Sequence, residues 1–262
     1  MKIAFMGTPE FAAVSLKALL DADYDVSAVY CQPDKVNARG KKIIPGAVKA
    51  LALERGLTLY QPETLKGSEP PKVDAIIAVA YGKLLPANWL TNVPAINVHA
   101  SLLPKWRGAA PIQRAIMCGD AETGVCTMAI ERELDAGAVY LSASTPIGAD
   151  EYFAQLHDRL AAIGAELLLE TLRTMPEPVP QADGFTYAAP ILKAERSIDP
   201  NAEADENYRR LRAIGPLNFE LDGKTLKLHR AHIENGVLTP DAVQAPGGKV
   251  ISFADYKRGQ HK

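Results

Sequence analysis

Five short apolar runs divide the first hundred residues: Ile3 to Met6, Val26 to Tyr30, Leu57 to Tyr60, Ala75 to Ala80 and Ala95 to His99. Each has strand length, and the intervals between them are long enough for crossovers, so they read as parallel neighbours in a sheet covered on both faces. Between the runs, Glu10 to Leu20 carries Phe11, Val14, Leu16, Leu19 and Leu20 at helical spacing, and Val48 to Arg55 does the same before Gly56 stops it. The pattern predicts a doubly wound, mostly parallel α/β domain.

Downstream, Pro111 to Met117 predicts a helix with proline in its first turn, Val125 to Ile130 and Val139 to Ser142 predict strands, and Tyr152 to Leu172 predicts a long amphipathic helix. The stretch from Pro176 to Pro200 holds Pro176, Pro178, Pro180, Pro190 and Pro200 and reads as an extended connector. A helix from Ala204 to Ile214 follows. Asn218 to Leu221 and Thr225 to Ala231 flank Asp222-Gly223, a hairpin signal, and Val237 to Leu238 and Lys249 to Phe253 supply further short strands. The expected division is 1–178 as the main domain, 179–200 as linker and 201–262 as a small β-rich domain.

At 262 residues, 47% hydrophobic and 23% charged, the chain has ample material for a core. Its formal net charge of -2 excludes capture of nucleic acid by the field of the whole protein, so a polyanion must be met by a local basic patch. Cys31, Cys118 and Cys126 form no CxxC pair, which argues against a disulfide framework or structural zinc. Gly7, Pro9 and Glu10 interrupt the N-terminal apolar run before a signal-peptide core can form, and no segment approaches the roughly 18 apolar residues of a membrane span. A cytoplasmic protein with no membrane partner is expected.

The chemistry concentrates in Asn97 to Gln113, NVHASLLPKWRGAAPIQ. Asn97 and His99 lie two apart on a strand end and therefore face one way. Asp135, in Leu134-Asp135-Ala136-Gly137, is the candidate carboxylate to orient the imidazole, leaving Asn97 to donate its amide N–H to an oxyanion. A lone histidine at a strand end is more often packed than catalytic, and an aspartate before Ala-Gly is ordinarily a turn former. The turn Gly7-Thr8-Pro9 lacks the second glycine of the dinucleotide fingerprint, which disfavours bound NAD; Gly7 instead permits a sharp strand-to-helix turn.

Gly7-Thr8-Pro9-Glu10-Phe11, Gln32-Pro33-Asp34, Ala80-Tyr81-Gly82, the Asn97 to Gln113 stretch, Thr123-Gly124-Val125 and Leu134-Asp135-Ala136-Gly137 occur in an order that resembles the methionyl-tRNA formyltransferases. The Asn-x-His-x-Ser-Leu-Leu-Pro core with a later Asp-x-Gly is shared by 10-formyltetrahydrofolate-dependent formyltransferases generally, and Arg107 to Gln113 is similar to the tRNA branch. The likeness covers about the first 200 residues. It implies formyl transfer from 10-formyltetrahydrofolate to the α-amine of methionyl initiator tRNA, with Asn97, His99 and Asp135 as the catalytic trio and no metal. A sugar-nucleotide N-formyltransferase uses the same trio and donor, and is the alternative.

The resemblance also implies a folate site formed by Ser101, Leu102, Leu103 and Pro104 together with Tyr81, Gly82, Lys83, Leu84 and Leu85. Apolar loops at strand ends suit a flat heteroaromatic ring. The basic run Lys35 to Lys42, with Lys35, Arg39, Lys41 and Lys42, matches the family's inserted loop that enters the tRNA acceptor end, Arg39 standing at its key arginine; by composition alone it is also an ordinary solvated loop. Trp106 and Arg107 are placed to meet the substrate end, with packing the simpler role for Trp106. Arg209, Arg210 and Arg212 extend the basic path. Family members carry a C-terminal barrel of the oligonucleotide-binding type, and the roughly 60 residues after Pro200 barely hold five strands, so a shortened barrel and a monomer are expected.

Overall fold

The computed structural model describes residues 1–34 and 45–260. Along the chain run β1 (Lys2–Gly7), α1 (Glu10–Asp21), β2 (Asp25–Tyr30), α2 (Ala47–Glu54), β3 (Leu59–Tyr60), β4 (Ala75–Val79), β5 (Ala95–His99), β6 (Arg107–Gly108), α3 (Pro111–Cys118), β7 (Glu122–Ala129), β8 (Val139–Pro146), α4 (Phe153–Thr174) and β9 (Tyr187–Ala188). They are followed by α5 (Ala204–Ile214), β10 (Leu217–Leu221), β11 (Lys224–Glu234), β12 (Val237–Gln244), β13 (Val250–Ser252) and α6 (Phe253–Gln260). Contacts group the chain into two compact units, one of Met1–Arg107, Thr123–Thr145 and His157–Tyr187, the other of Gly108–Glu122, Pro146–Leu156 and Ala188–Lys262.

The first unit is built on a seven-stranded sheet of order β3-β2-β1-β4-β5-β7-β8. Pairing is parallel from β3 through β5 and turns antiparallel between β5 and β7. From β1 the chain steps outward to β2 and β3, then returns to lay β4 and β5 on the other side, the strand-order reversal at whose carboxyl ends α/β proteins place their ligands. Alternate residues of β1 and β4 enter different faces, and Ile3, Ala4, Phe5, Met6, Ile76, Ile77 and Val79 are all buried. A sheet covered on both sides explains why these strands are continuously apolar instead of alternating.

At Gly7 a Cβ would stand 2.5 Å from the Ala12 Cβ and 2.9 Å from the Val79 carbonyl oxygen, so the turn from β1 into α1 tolerates no side chain. The strand read over Leu57 to Tyr60 is shorter than its apolar run. The Leu57 amide is spent closing α2, donating to the Ala52 carbonyl at 2.9 Å, and only Leu59 and Tyr60 pair with β2.

In the second unit, β10 to β13 form a four-stranded antiparallel sheet in sequential order, packed through Leu217, Leu226, Leu228 and Val243 with Leu211 and Tyr256 from α5 and α6. Asp222 and Gly223, with φ of 50° and 71°, make the hairpin turn between β10 and β11. Asn235-Gly236, at 51° and 77°, makes an equivalent turn before β12.

The last strands and the C-terminal segment also differ from the sequence reading. β12 runs on to Gln244 through Pro240, where the missing N–H is harmless because β13 pairs only with residues 242–244 and the β11 pairing is bulged nearby. Residues from Phe253 turn into α6 instead of ending a strand. Ser252 caps it, accepting the Asp255 amide at 3.1 Å and donating to the Asp255 carboxylate at 2.7 Å.

Candidate active site

The carboxyl end of β5 brings the predicted trio together. Ile96 and Val98 point into the core, while Asn97 and His99 share the opposite face, with His99 only 6% exposed. Asp135 comes from the loop between β7, which pairs with β5, and β8 at the sheet edge. Its Oδ2 lies 3.6 Å from His99 Nδ1, and its Oδ1 accepts from Asn97 Nδ2 at 3.5 Å. Both contacts exceed the usual hydrogen-bond range of about 2.7–3.2 Å, a looseness common in catalytic groups that tighten around a substrate.

The other ring nitrogen is fixed more closely. His99 Nε2 lies 2.9 Å from the Trp106 carbonyl oxygen, an acceptor only, so Nε2 carries a hydrogen and Nδ1 is the nitrogen turned toward the carboxylate. Asp135 itself is in the left-handed region at φ 50°, and two residues later Gly137 carries no side chain because a Cβ would come within 2.0 Å of the Ala129 carbonyl oxygen.

The two loops assigned to folate leave the sheet side by side, because Ala78 of β4 pairs with Asn97 of β5. Ser101 is buried, with its hydroxyl donating to the Lys105 carbonyl, while Leu102, Leu103 and Pro104 are half-buried. Gly124 passes so close to Leu102 that a Cβ there would meet Leu102 Cδ2 at 2.5 Å. In the second loop, Tyr81 is 3% exposed and belongs to the core beside Met6, Ile76 and Trp89. Lys83 donates to the carbonyls of Pro62 and Glu63 at 2.6 and 2.7 Å, Gly82 and Leu84 are exposed, and Leu85 is half-buried. Half-buried leucines and proline beside backbone polar groups suit one face of a pterin; the Tyr81 ring serves the core beneath it.

Lys35, Arg39, Lys41 and Lys42 lie outside the described residues. The remaining basic candidates are engaged with the protein itself. Arg107 is 6% exposed and donates through Nε to Gln181 Oε1 at 3.0 Å. Arg209 donates to the Met117 carbonyl, Arg210 pairs with Glu206, and buried Arg212 donates to the carbonyls of Gly148 and Glu151. A cavity of about 670 Å³ in the second unit, with Ile198, Asn207, Phe219, Leu228 and Leu238 in its walls, is lined by none of the predicted site residues among those described.

Sequence reasoning passed over Gln181, which sits in the proline-rich connector and reaches the Asp135 turn, donating to the carbonyls of Asp135 and Gly137 at 2.8 Å each. A glutamine between prolines carries no motif, and only the fold brings it there.

Residues 1–172 match the family model described as Formyl transferase. The chain belongs to that family. Among the relatives of this formyl transferase, a methionyl-tRNA formyltransferase from Symbiobacterium thermophilum is 51% identical over 232 residues, covering 82% of this chain and 70% of the relative. One of the same name from Methylibium petroleiphilum is 46% identical over 97% of this chain and 88% of the relative. Among solved structures, the N-formyltransferase from Helicobacter canadensis in complex with folinic acid and dTDP-3-aminofucose shares the fold, with a TM-score of 0.70 at 16% identity over 96% of this chain and 98% of that one.

Proposed function

We propose that this formyl transferase moves a formyl group from 10-formyltetrahydrofolate to the α-amine of methionine carried on initiator tRNA, working as a cytoplasmic monomer without a metal. The observation that carries the reading is the convergence of Asn97, His99 and Asp135 at the end of β5. It is supported by relatives named methionyl-tRNA formyltransferase at 46% to 51% identity over most of the chain.

As the amine nitrogen bonds to the formyl carbon, the carbonyl oxygen gains negative charge. The Asn97 amide, with the His99 ring beside it, stabilises that oxygen; one such donor is worth about 3 to 4 kcal/mol of barrier. Asp135 receives the proton the attacking amine gives up and passes it to the folate nitrogen as the bond from that nitrogen to the formyl carbon breaks, so the net exchange is formyl for hydrogen. The Ser101 to Pro104 loop and the Tyr81 to Leu85 loop hold the pterin, and Lys35, Arg39, Lys41 and Lys42 track the acceptor-end phosphates. Residues 1–178 would supply the catalytic domain, 179–200 the connector and 201–262 the small C-terminal domain.

The sugar-nucleotide alternative rests on a fold-level likeness at 16% identity, far below that of the relatives named for tRNA. Incubation with labelled 10-formyltetrahydrofolate and either methionyl-tRNA or an amino-sugar nucleotide tests the assignment. Label on methionyl-tRNA is the expected result; label on the sugar alone overturns it.

A further inference from the structure

The Asp135 carboxylate stands 3.6 Å from His99 Nδ1 and 3.5 Å from Asn97 Nδ2, on a turn whose backbone is left-handed at φ 50°, a conformation aspartate adopts in turns. Gln181 grips that turn from the connector. Its Nε2 donates to both ends of the turn, the carbonyls of Asp135 and Gly137, at 2.8 Å each. Two acceptors on one side and a guanidinium on the other settle the orientation of the amide, because only the oxygen can face Arg107.

Arg107 in turn holds Gln181. The guanidinium donates from Nε to Gln181 Oε1 at 3.0 Å, lies 4.6 Å from the Phe185 ring centroid, and approaches Glu133, on the Asp135 loop, at 3.5 Å. The same stretch of chain also braces the other side of His99. Thr186 Oγ1 accepts the Trp106 N–H at 2.9 Å and the Thr186 carbonyl accepts the Arg107 N–H at 2.8 Å, which steadies the peptide whose carbonyl meets His99 Nε2. Residues 181–186 thus support both oxygen partners of the imidazole.

We propose that Gln181, held by Arg107, is a positioning residue for formyl transfer, fixing the turn that aims the Asp135 carboxylate at His99 and Asn97. It touches no reacting atom and acts through Asp135, so the proposal rests on the reading of Asn97, His99 and Asp135 as the catalytic trio.

Gln181→Met keeps the length of the side chain and removes its donor. The expected result is a fall in kcat of about 10- to 100-fold, with KM for 10-formyltetrahydrofolate and for methionyl-tRNA within about twofold of wild type. In an Asp135→Asn background, adding Gln181→Met should cost less than about twofold more, since the group it aims has already lost its charge. A purely structural role would cost the same factor in both backgrounds, and that outcome, or a single variant with wild-type kcat, overturns the proposal. If Gln181→Met does not fold, Arg107→Lys, which keeps the charge near Phe185 and removes the Nε donor, must show the same dependence on Asp135. Wild-type turnover in Asp135→Asn alone would sink the trio and the proposal together. An inactive Asp135→Asn beside an unimpaired Gln181→Met would sink only the positioning role.

Discussion

His99 Nε2 lies 2.9 Å from the carbonyl oxygen of Trp106, seven residues further along the chain, and this one hydrogen bond decides which nitrogen of the ring serves the site. Nδ1 is left facing Asp135 Oδ2 at 3.6 Å.

Removal of either partner should therefore cost rate before stability. His99→Ala and Asp135→Asn are each expected to lower kcat by about 10²- to 10⁴-fold, the usual contribution of a positioned acid or base, while Asn97→Ala lowers it by about 10²- to 10³-fold through loss of one oxyanion donor. Single-turnover transfer of labelled formyl, run beside thermal melts, checks this. A large fall in Tm with near-normal turnover would show the three side chains to be packing residues.

The turn carrying Asp135 has almost no room to adjust at its glycine. In Gly137→Ala the new methyl would begin 2.0 Å from the Ala129 carbonyl oxygen and 2.9 Å from its carbon, both backbone atoms of β7. Relief requires the turn to move, which draws Asp135 away from β5. The variant should lose about 1–3 kcal/mol of stability and also fall in kcat, measured by denaturant melts and steady-state kinetics. A loss of stability with full turnover would mean that the site does not depend on this turn.

Much of the fold was legible because its signals are local. β5 was read to the residue, α5 likewise, and Asp222-Gly223 announced its hairpin, since strand length, helical spacing and positive φ leave marks within a few residues. Two local signals were there and passed over: Asn235-Gly236, a turn dipeptide before β12, and Ser252 three residues ahead of Asp255, a helix start. Asn97 and His99 were legible as a pair for the same reason of local geometry. Asp135 was named as a candidate carboxylate from its Asp-Ala-Gly turn and singled out only by family resemblance, because a distance of 38 residues along the chain carries no spacing rule. Gln181 and Arg107 were invisible as partners: prolines at 176, 178 and 180 imply an extended strand, but not that its side chains grip a turn 46 residues away.

Tyr81 gives the core a pH dependence. Burial pushes its phenol from an ordinary 10 up to about 12, and among the described residues its buried hydroxyl has no hydrogen-bond partner. Below pH 10 both folded and unfolded chains keep the proton and stability is unaffected. Between pH 10 and 12 the unfolded chain releases it while the folded one retains it, so stability falls as pH rises, by about 3 kcal/mol at most from this group. Tyr208, also raised to about 12, and Cys126, raised to about 11, add to the alkaline decline. Tyr81→Phe should be neutral or slightly stabilising at pH 7, since it deletes an unsatisfied buried hydroxyl, and should make the decline shallower. Chemical denaturation at pH 7, 10 and 11.5 measures both effects; a Tyr81→Phe protein that is clearly weaker at pH 7 would mean the hydroxyl has a partner after all.

Arg39 tests the division of labour between the two substrates. Asn97, His99 and the Ser101 to Pro104 loop gather at the end of β5, whereas Lys35, Arg39, Lys41 and Lys42 form a basic run with no acidic residue among them. A cation that follows phosphates strengthens the grip on tRNA by releasing counterions and does nothing for a pterin. Arg39→Ala should therefore raise KM for methionyl-tRNA, lower the slope of log KM against log salt by about one, and leave KM for 10-formyltetrahydrofolate unchanged. Steady-state kinetics across a salt series separates the outcomes. An equal rise in both KM values would place Arg39 at the donor site or in the fold, and an unchanged salt slope would remove it from the phosphate path.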